Sequence, residues 1–337
     1  MTTPQNFIYK LSDYLQKNNA LQKIINKFQT DYSLIPCIGV EIEFYLSKNI
    51  DPLKLQTLLG ILVKKEKGDN QFEIDLPPST NIIEYIGKIS STKSKIQIIA
   101  KKLQGKVNFS AKPLPNGYGS SMHFHVNFID SSRSISEEAA LVATKQSPPN
   151  VIARPRECSG NPHSLDCFVA AKAAPRNDVE TLLRSGFTAP RNDISLLRTN
   201  TDMLDLMGQS ICHYMLDSFL IFMPNEDDYL RLDKNFMAPT NVSFGNNNRT
   251  VAVRIPDSSP RRVEHRIANP LTDPYLAIFT ILNSILLGLE FPDKINNINK
   301  IYGNAFDQQY HLVPLPKSLA EALALFDLQF FLSKHFL

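Results

Sequence analysis

The sequence predicts one large domain of mixed helices and strands. Three observations carry this: period-two segments whose apolar residues share a face, longer segments with helical spacing, and 43% apolar residues in 337. That fraction is enough for a core and argues against disorder. Lys+Arg 36 against Asp+Glu 33 leaves a net charge of +3. Such balance does not suit a protein whose affinity comes from neutralising many phosphates, so nucleic acid is excluded as main partner.

Taken in order, residues 1–35 read as an N-terminal helical extension, with Ile8, Leu11, Tyr14, Leu15, Leu21, Ile24, Ile25 and Phe28 at roughly helical spacing. After Pro36 the period becomes two. Asp51-Pro52 is an N-cap followed by proline at the first helical position, predicting a helix to about Lys65. Asp273-Pro274 repeats the device ahead of an apolar helix to Leu289, and Thr201–Phe222 reads as another long helix. The run Tyr275–Leu289 is too short to span a bilayer and carries Asn283, so no membrane segment is expected. Lys10, Asp13 and Lys17 interrupt any signal-peptide pattern. Four cysteines make no disulfide framework or paired metal spacing, and the expectation is a reducing, cytoplasmic setting.

Residues 148–193 differ in composition. Ala174-Pro175-Arg176-Asn177-Asp178 returns as Ala189-Pro190-Arg191-Asn192-Asp193, and arginine replaces the lysine favoured elsewhere. The segment resembles translated palindromic elements carried in frame by some bacterial genes. A surface insertion, flexible and without catalytic part, is the expectation.

Five strand-like segments have an unusual polar face. In Ile38–Tyr45, Glu41, Glu43 and Tyr45 oppose the apolar set; in Gln71–Leu76, Gln71, Glu73 and Asp75 do. Met122–Phe128 places His123, His125 and Asn127 on one side. Arg249–Ile255 carries Arg254, and Arg262–Ile267 carries Arg262, Glu264 and Arg266. Taken singly, each is also what a half-buried strand with a solvated face looks like. Together they hold glutamates, histidines and arginines with almost no lysine. Clustered carboxylates repel one another unless a cation lies between them, and arginines suit phosphate or carboxylate. The set matches a divalent-metal site for phosphoryl chemistry. No phosphate-binding glycine loop, serine elbow, CxxC or HExxH pattern competes with it.

At these residues the chain resembles the glutamine synthetase family. The resemblance lies in Glu41-Ile42-Glu43-Phe44, in Glu66 with Gln71-Phe72-Glu73, and in Asn116-Gly117 with Gly119-Ser120-Ser121-Met122-His123-Phe124-His125. It continues through Tyr229-Leu230-Arg231-Leu232, Ala238-Pro239, Asn248-Arg249 to Arg254, Arg262-Val263-Glu264-His265-Arg266, Asn269-Pro270 and Asp273-Pro274-Tyr275-Leu276. It implies an α+β fold, a curved antiparallel sheet backed by helices, formed by residues 36–147 and 194–337.

By the same resemblance, Glu43, Glu66 and Glu73 would hold one Mg²⁺ or Mn²⁺, and Glu41, His123 and Glu264 a second. Arg249, Arg254 and Arg262, with His125 and Asn127, would bind ATP, and Arg249 and Arg254 would serve the phosphoryl transfer. Arg231, Arg266, Asn116 and Gly117 would bind glutamate. The implied reaction joins ammonia or another amine to glutamate through a γ-glutamyl phosphate; the alternatives are a γ-glutamyl-amine ligase or a homologue that binds without turnover. Its partners would be small molecules, and a homo-oligomer is an expectation weakened by one departure: the family's N-terminal β-grasp domain is replaced by a helix. Met237 stands where the family has a flap glutamate, Asn127 for a serine, Ser121 for a glycine and Phe244 for a larger aromatic residue.

Overall fold

A computed structural model describes residues 3–131 and 200–332. The insertion at 148–193 lies outside the described residues. Ten helices and strands lead into the site: α1 (Pro4–Lys17), α2 (Ala20–Tyr32), β1 (Leu34–Leu46), α3 (Pro52–Leu59), β2 (Lys64–Lys65), β3 (Gln71–Ser79), α4 (Ile82–Lys102), β4 (Val107–Asn108), β5 (Met122–Asp130) and α5 (Asn200–His213). After them come α6 (Met215–Phe222), β6 (Phe244–Asn246), β7 (Val253–Ile255), β8 (Val263–His265) and α7 (Pro274–Glu290), with two short helices, Leu319–Leu325 and Leu328–Phe331, beyond.

The fold is α+β, built on an open, mostly antiparallel sheet. Strand order is β2-β3-β1-β5-β8-β7-β6, with β4 paired to β1, and only the β6–β7 pair among these is parallel. The alternation of β1 dictates the layers. Ile38, Val40, Ile42 and Phe44 are buried at 0–1% exposure, and α2, α4 and α5 cover that apolar side. Helix α7 packs against all three. It is apolar all round and buried from Pro274 to Gly288, as a central core helix must be. Its Asn283 donates to the Phe330 carbonyl at 2.8 Å. No helix among the described residues is long and apolar enough to cross a membrane.

Several boundaries differ from the sequence reading, each for a local reason. The N-terminal helix is two helices, broken at Asn18 and at Asn19, whose φ of 51° is left-handed. The helix begun by Asp51 ends at Leu59 because Gly60, φ 72°, caps it. The long helix to Phe222 divides at Tyr214. Arg249 sits in a turn, outside a β7 that begins only at Val253. Both Asp-Pro starts hold: Asp51 accepts from Leu53 N–H at 2.9 Å and Asp273 from Tyr275 N–H at 2.8 Å.

Candidate active site

Strand register assembles the polar face. Glu43 lies opposite Glu73, while Glu41 lies opposite Asp75 on one side and His123 on the other. His125 opposes Glu264, which opposes Arg254. Each is brought in by period-two alternation on a strand whose other face is core. The face is not solvated: Glu43, Glu73 and His123 are each 8% exposed and Glu264 is 3%. Burial of that order decides between a solvated face and a functional cluster, because unpaired charges are not left in a core.

All of these side chains but Asp75 and His125 line one cavity of about 300 Å³. Its floor is Glu41, Glu43, Glu66, Glu73, His123 and Glu264, and Arg231, Arg249, Arg254 and Arg266 also line it. Three of the four, Arg231, Arg249 and Arg254, come from different segments. Tyr118, Phe236, Met237, Ala238 and Pro239 form an apolar rim. The other candidates lie elsewhere. Arg262 Nε donates to His125 Nδ1 at 2.9 Å, and His125 Nε2 stands 3.0 Å from Glu41 Oε1, so this pair flanks Glu41 on the same sheet face. Asn127 is occupied by the Phe128 N–H, Asn116 is exposed, and the Gly117 carbonyl accepts from Lys112 Nζ at 2.7 Å. None of these five residues lines the cavity.

The electrostatics divide the floor. Burial pushes the Glu73 carboxyl up to about 9, with Glu41, Asp75, Glu43 and Glu66 adding repulsion. Burial also raises Glu43, reinforced by Glu66 and opposed by His123 and Ser121. Glu41 behaves otherwise. Burial would raise it, but His123 and His125 hold it well below the usual carboxylate range. Glu264 is likewise lowered against its burial by His123 and Arg266; Arg254 Nη1 lies 3.0 Å and Arg266 Nε 3.3 Å away. His123 is raised: burial opposes its charge, but Glu41, Glu264 and Glu43 more than offset that.

The donor set fits a divalent cation. Ligand atoms of Glu41, His123 and Glu264 lie within 4.8 Å of one another, as do those of Glu43, Glu73 and His123 and of Glu41, Glu73 and Asp75. Hard oxygens with one imidazole suit Mg²⁺ or Mn²⁺. Glu66 lines the cavity without joining these groups. Arg231 Nε and Arg254 Nε are buried donors without a hydrogen-bond partner, which suits an anionic guest.

Lys64 escaped the sequence reading, and Gln71 was placed on the polar face without a role. Lys64 lies on the short strand β2, next to β3, and its ammonium is 3.7 Å from Glu73 and bonded to Asp75. Gln71 is 2% exposed and donates to the Gly119 carbonyl at 2.9 Å and to Glu43 at 3.3 Å. Strand β2 is two residues long, too short for any periodicity to mark it. Gln71 stood on the polar face of its strand, where its parity was the available signal.

The profile of the glutamine synthetase catalytic domain matches residues 53–142 and 201–337. This chain belongs to the glutamine synthetase catalytic-domain family. The match passes over the inserted segment and begins beyond β1, so Glu41 and Glu43 lie outside it. Among curated relatives, gamma-glutamylputrescine synthetase PuuA of Escherichia coli (strain K12) is 27% identical over 282 residues, 82% of this chain and 47% of that protein. Glutamate–isopropylamine ligase of a Pseudomonas species is 29% identical over 264 residues, 77% and 45% respectively. A glutamine synthetase of Neisseria gonorrhoeae is 36% identical over a shorter span of 108 residues. The glutamine synthetase-like chain thus spans about half the length of the first two relatives. A solved GmaS–ADP complex is similar in fold, with TM-score 0.62 at 15% identity, covering 95% of this chain and 69% of that one.

Proposed function

We propose that this glutamine synthetase-like domain is an ATP-dependent ligase that joins an alkylamine to the γ-carboxylate of glutamate. The observation that carries the reading is the single cavity with a carboxylate–imidazole floor, an arginine wall and an apolar rim. In the proposed reaction a glutamate γ-carboxylate oxygen attacks the γ-phosphorus of ATP and ADP leaves. The amine nitrogen then attacks the acyl carbon, and the C–O bond to phosphate breaks, the phosphate leaving as HPO4²⁻ with the proton that the nitrogen gives up.

Glu43, Glu66 and Glu73 would hold one divalent cation and Glu41, His123 and Glu264 another. Such cations supply charge neutralisation at the phosphoryl oxygens. Arg249 and Arg254 would orient the transferring phosphoryl, and the unpartnered Arg254 Nε gives it a donor. Arg231 and Arg266 are themselves held by backbone carbonyls: Arg231 donates to Ile267, and Arg266 to Val251 at 3.0 Å. Anchored guanidiniums suit recognition of the glutamate carboxylates. Asn116, Gly117, Arg262, His125 and Asn127 would act outside this cavity or through its supports.

The rim supports the choice of amine. Met237 offers a thioether that can neither take a proton nor attract ammonium. With Phe236, Ala238 and Pro239 it makes a surface for methylenes. Similarity to two named alkylamine ligases over about four fifths of the chain supports the same choice. Localisation in a reducing cytoplasm belongs to this reading.

The test is phosphate release by purified protein with Mg²⁺, ATP and glutamate across a panel of amines. Alkylamines should support faster release than ammonium. Met237→Glu should raise ammonium-dependent glutamine formation toward the roughly 10²–10⁴-fold that a positioned base contributes. Fast ammonium turnover by the wild type, unimproved by the glutamate, would refute the choice of amine. Nucleotide binding without phosphate release would favour the second reading, a homologue that binds without turnover, which draws on the Lys64 ammonium already seated against Glu73 and Asp75.

A further inference from the structure

We infer that Ser121 is a positioning residue for His123: anchored on Glu43 through its backbone, it meets Nε2 with its hydroxyl and so leaves Nδ1 as the ligand atom. This rests on reading the cluster as a divalent-cation site. Ser121, just ahead of β5, is 3% exposed. Its backbone is tied to Glu43 twice: the N–H donates to Glu43 Oε2 at 2.8 Å and the carbonyl accepts from Glu43 N–H at 3.0 Å. Its hydroxyl lies 2.8 Å from His123 Nε2. The opposite ring nitrogen, Nδ1, lies 3.3 Å from Glu41 Oε2 and 3.6 Å from Glu264 Oε1. The ring therefore bridges one half of the cluster to the serine that is fixed on the other.

A neutral imidazole has one proton to place. On Nδ1, the proton points at Glu41 and blocks coordination there. On Nε2, the ring donates to Ser121 Oγ, and the Nδ1 lone pair faces Glu41 and Glu264 as a ligand. Ser121 Oγ, 2.8 Å from Nε2, is placed to accept that proton and hold the ring with Nδ1 toward the two carboxylates. Outer partners of this kind orient a ligating histidine and set its tautomer. Alanine at 121 would preserve both backbone bonds and remove the hydroxyl alone.

The test uses the full chain and Mn²⁺ alone, titrated calorimetrically into wild type, Ser121→Ala and Ser121→Thr. The alanine should weaken Mn²⁺ binding about 10–100-fold, the usual cost of losing such a partner, and threonine should restore most of it. Nitrogen-15 NMR of the wild type loaded with diamagnetic Mg²⁺ should show the His123 proton on Nε2, which decides the matter even if the alanine variant does not fold. Wild-type Mn²⁺ affinity in a folded Ser121→Ala, or a proton on Nδ1 in the Mg²⁺-loaded chain, would overturn the role of Ser121 and leave the cation site standing. A wild type that binds no Mn²⁺ would sink the cation reading itself.

Discussion

Glu73 and Glu264 are the same residue type on the same face of one sheet, both nearly buried, yet their carboxyls are pushed in opposite directions. Glu264 is lowered because the chain brings cations to it: His123, Arg266 and Arg254 surround its oxygens. Glu73 is raised by its burial, to which further carboxylates add repulsion, and Lys64, the cation at hand, sits closer to Asp75. Burial costs both residues alike; compensation separates them. One half of the floor is balanced by imidazole and guanidinium from within, and the other half is left to be balanced from without.

The largest effect that sharpens this contrast should come from Arg254→Ala. It strips a buried carboxylate of a partner at 3.0 Å and should destabilise the fold by on the order of 3 kcal/mol, read as a fall in the denaturation midpoint. Glu73→Gln should do the reverse in metal-free protein. It removes a repelled acid and should leave stability unchanged or raise it by about 1 kcal/mol. Equal destabilisation by both variants would break the comparison.

A smaller effect is expected in pH dependence. The Glu73 carboxyl titrates at about 9 in the fold, against about 4.3 when unfolded. Over that window the native state binds more protons than the unfolded state, so metal-free stability should fall as pH rises from about 4.3 to 9. Saturating Mg²⁺ should flatten the decline, and Glu73→Gln should reduce it. Stability that instead rises over the window would contradict the assignment. Lys64→Met should tighten Mn²⁺ binding a few-fold by removing a competing cation, as a titration would read.

Smallest of all, deleting residues 148–193 and rejoining the flanks should leave nucleotide and Mn²⁺ binding unchanged, since loop length changes closure entropy only slowly. Loss of both would show that the segment has a structural part.

The polar face was legible because alternation is a strict rule: Glu41, Glu43, Glu73, His123 and Glu264 each sit opposite an apolar set, and register did the rest. The Asp-Pro helix starts were legible for a similar reason, since the cap and the proline are local. What stayed hidden was set by few residues or by geometry off the strands. Asn19 and Gly60 stop helices through left-handed backbone, which hydrophobic spacing does not encode. Lys64 enters from a two-residue strand, so the near absence of lysine held for the long strands and failed beside them. Arg262 and His125 share the polar parity yet lie outside the cavity, because parity names a face and says nothing about position along it.

The central claim is that the Glu43–Glu73 half needs a cation from outside. Thermal unfolding with and without millimolar Mg²⁺ and ATP, wild type beside Glu73→Ala, tests it most directly, because a ligand that binds only the folded state raises its melting temperature. The account predicts a rise of several degrees in the wild type and little or none in the variant. No rise in the wild type, or the same rise in both, would contradict it.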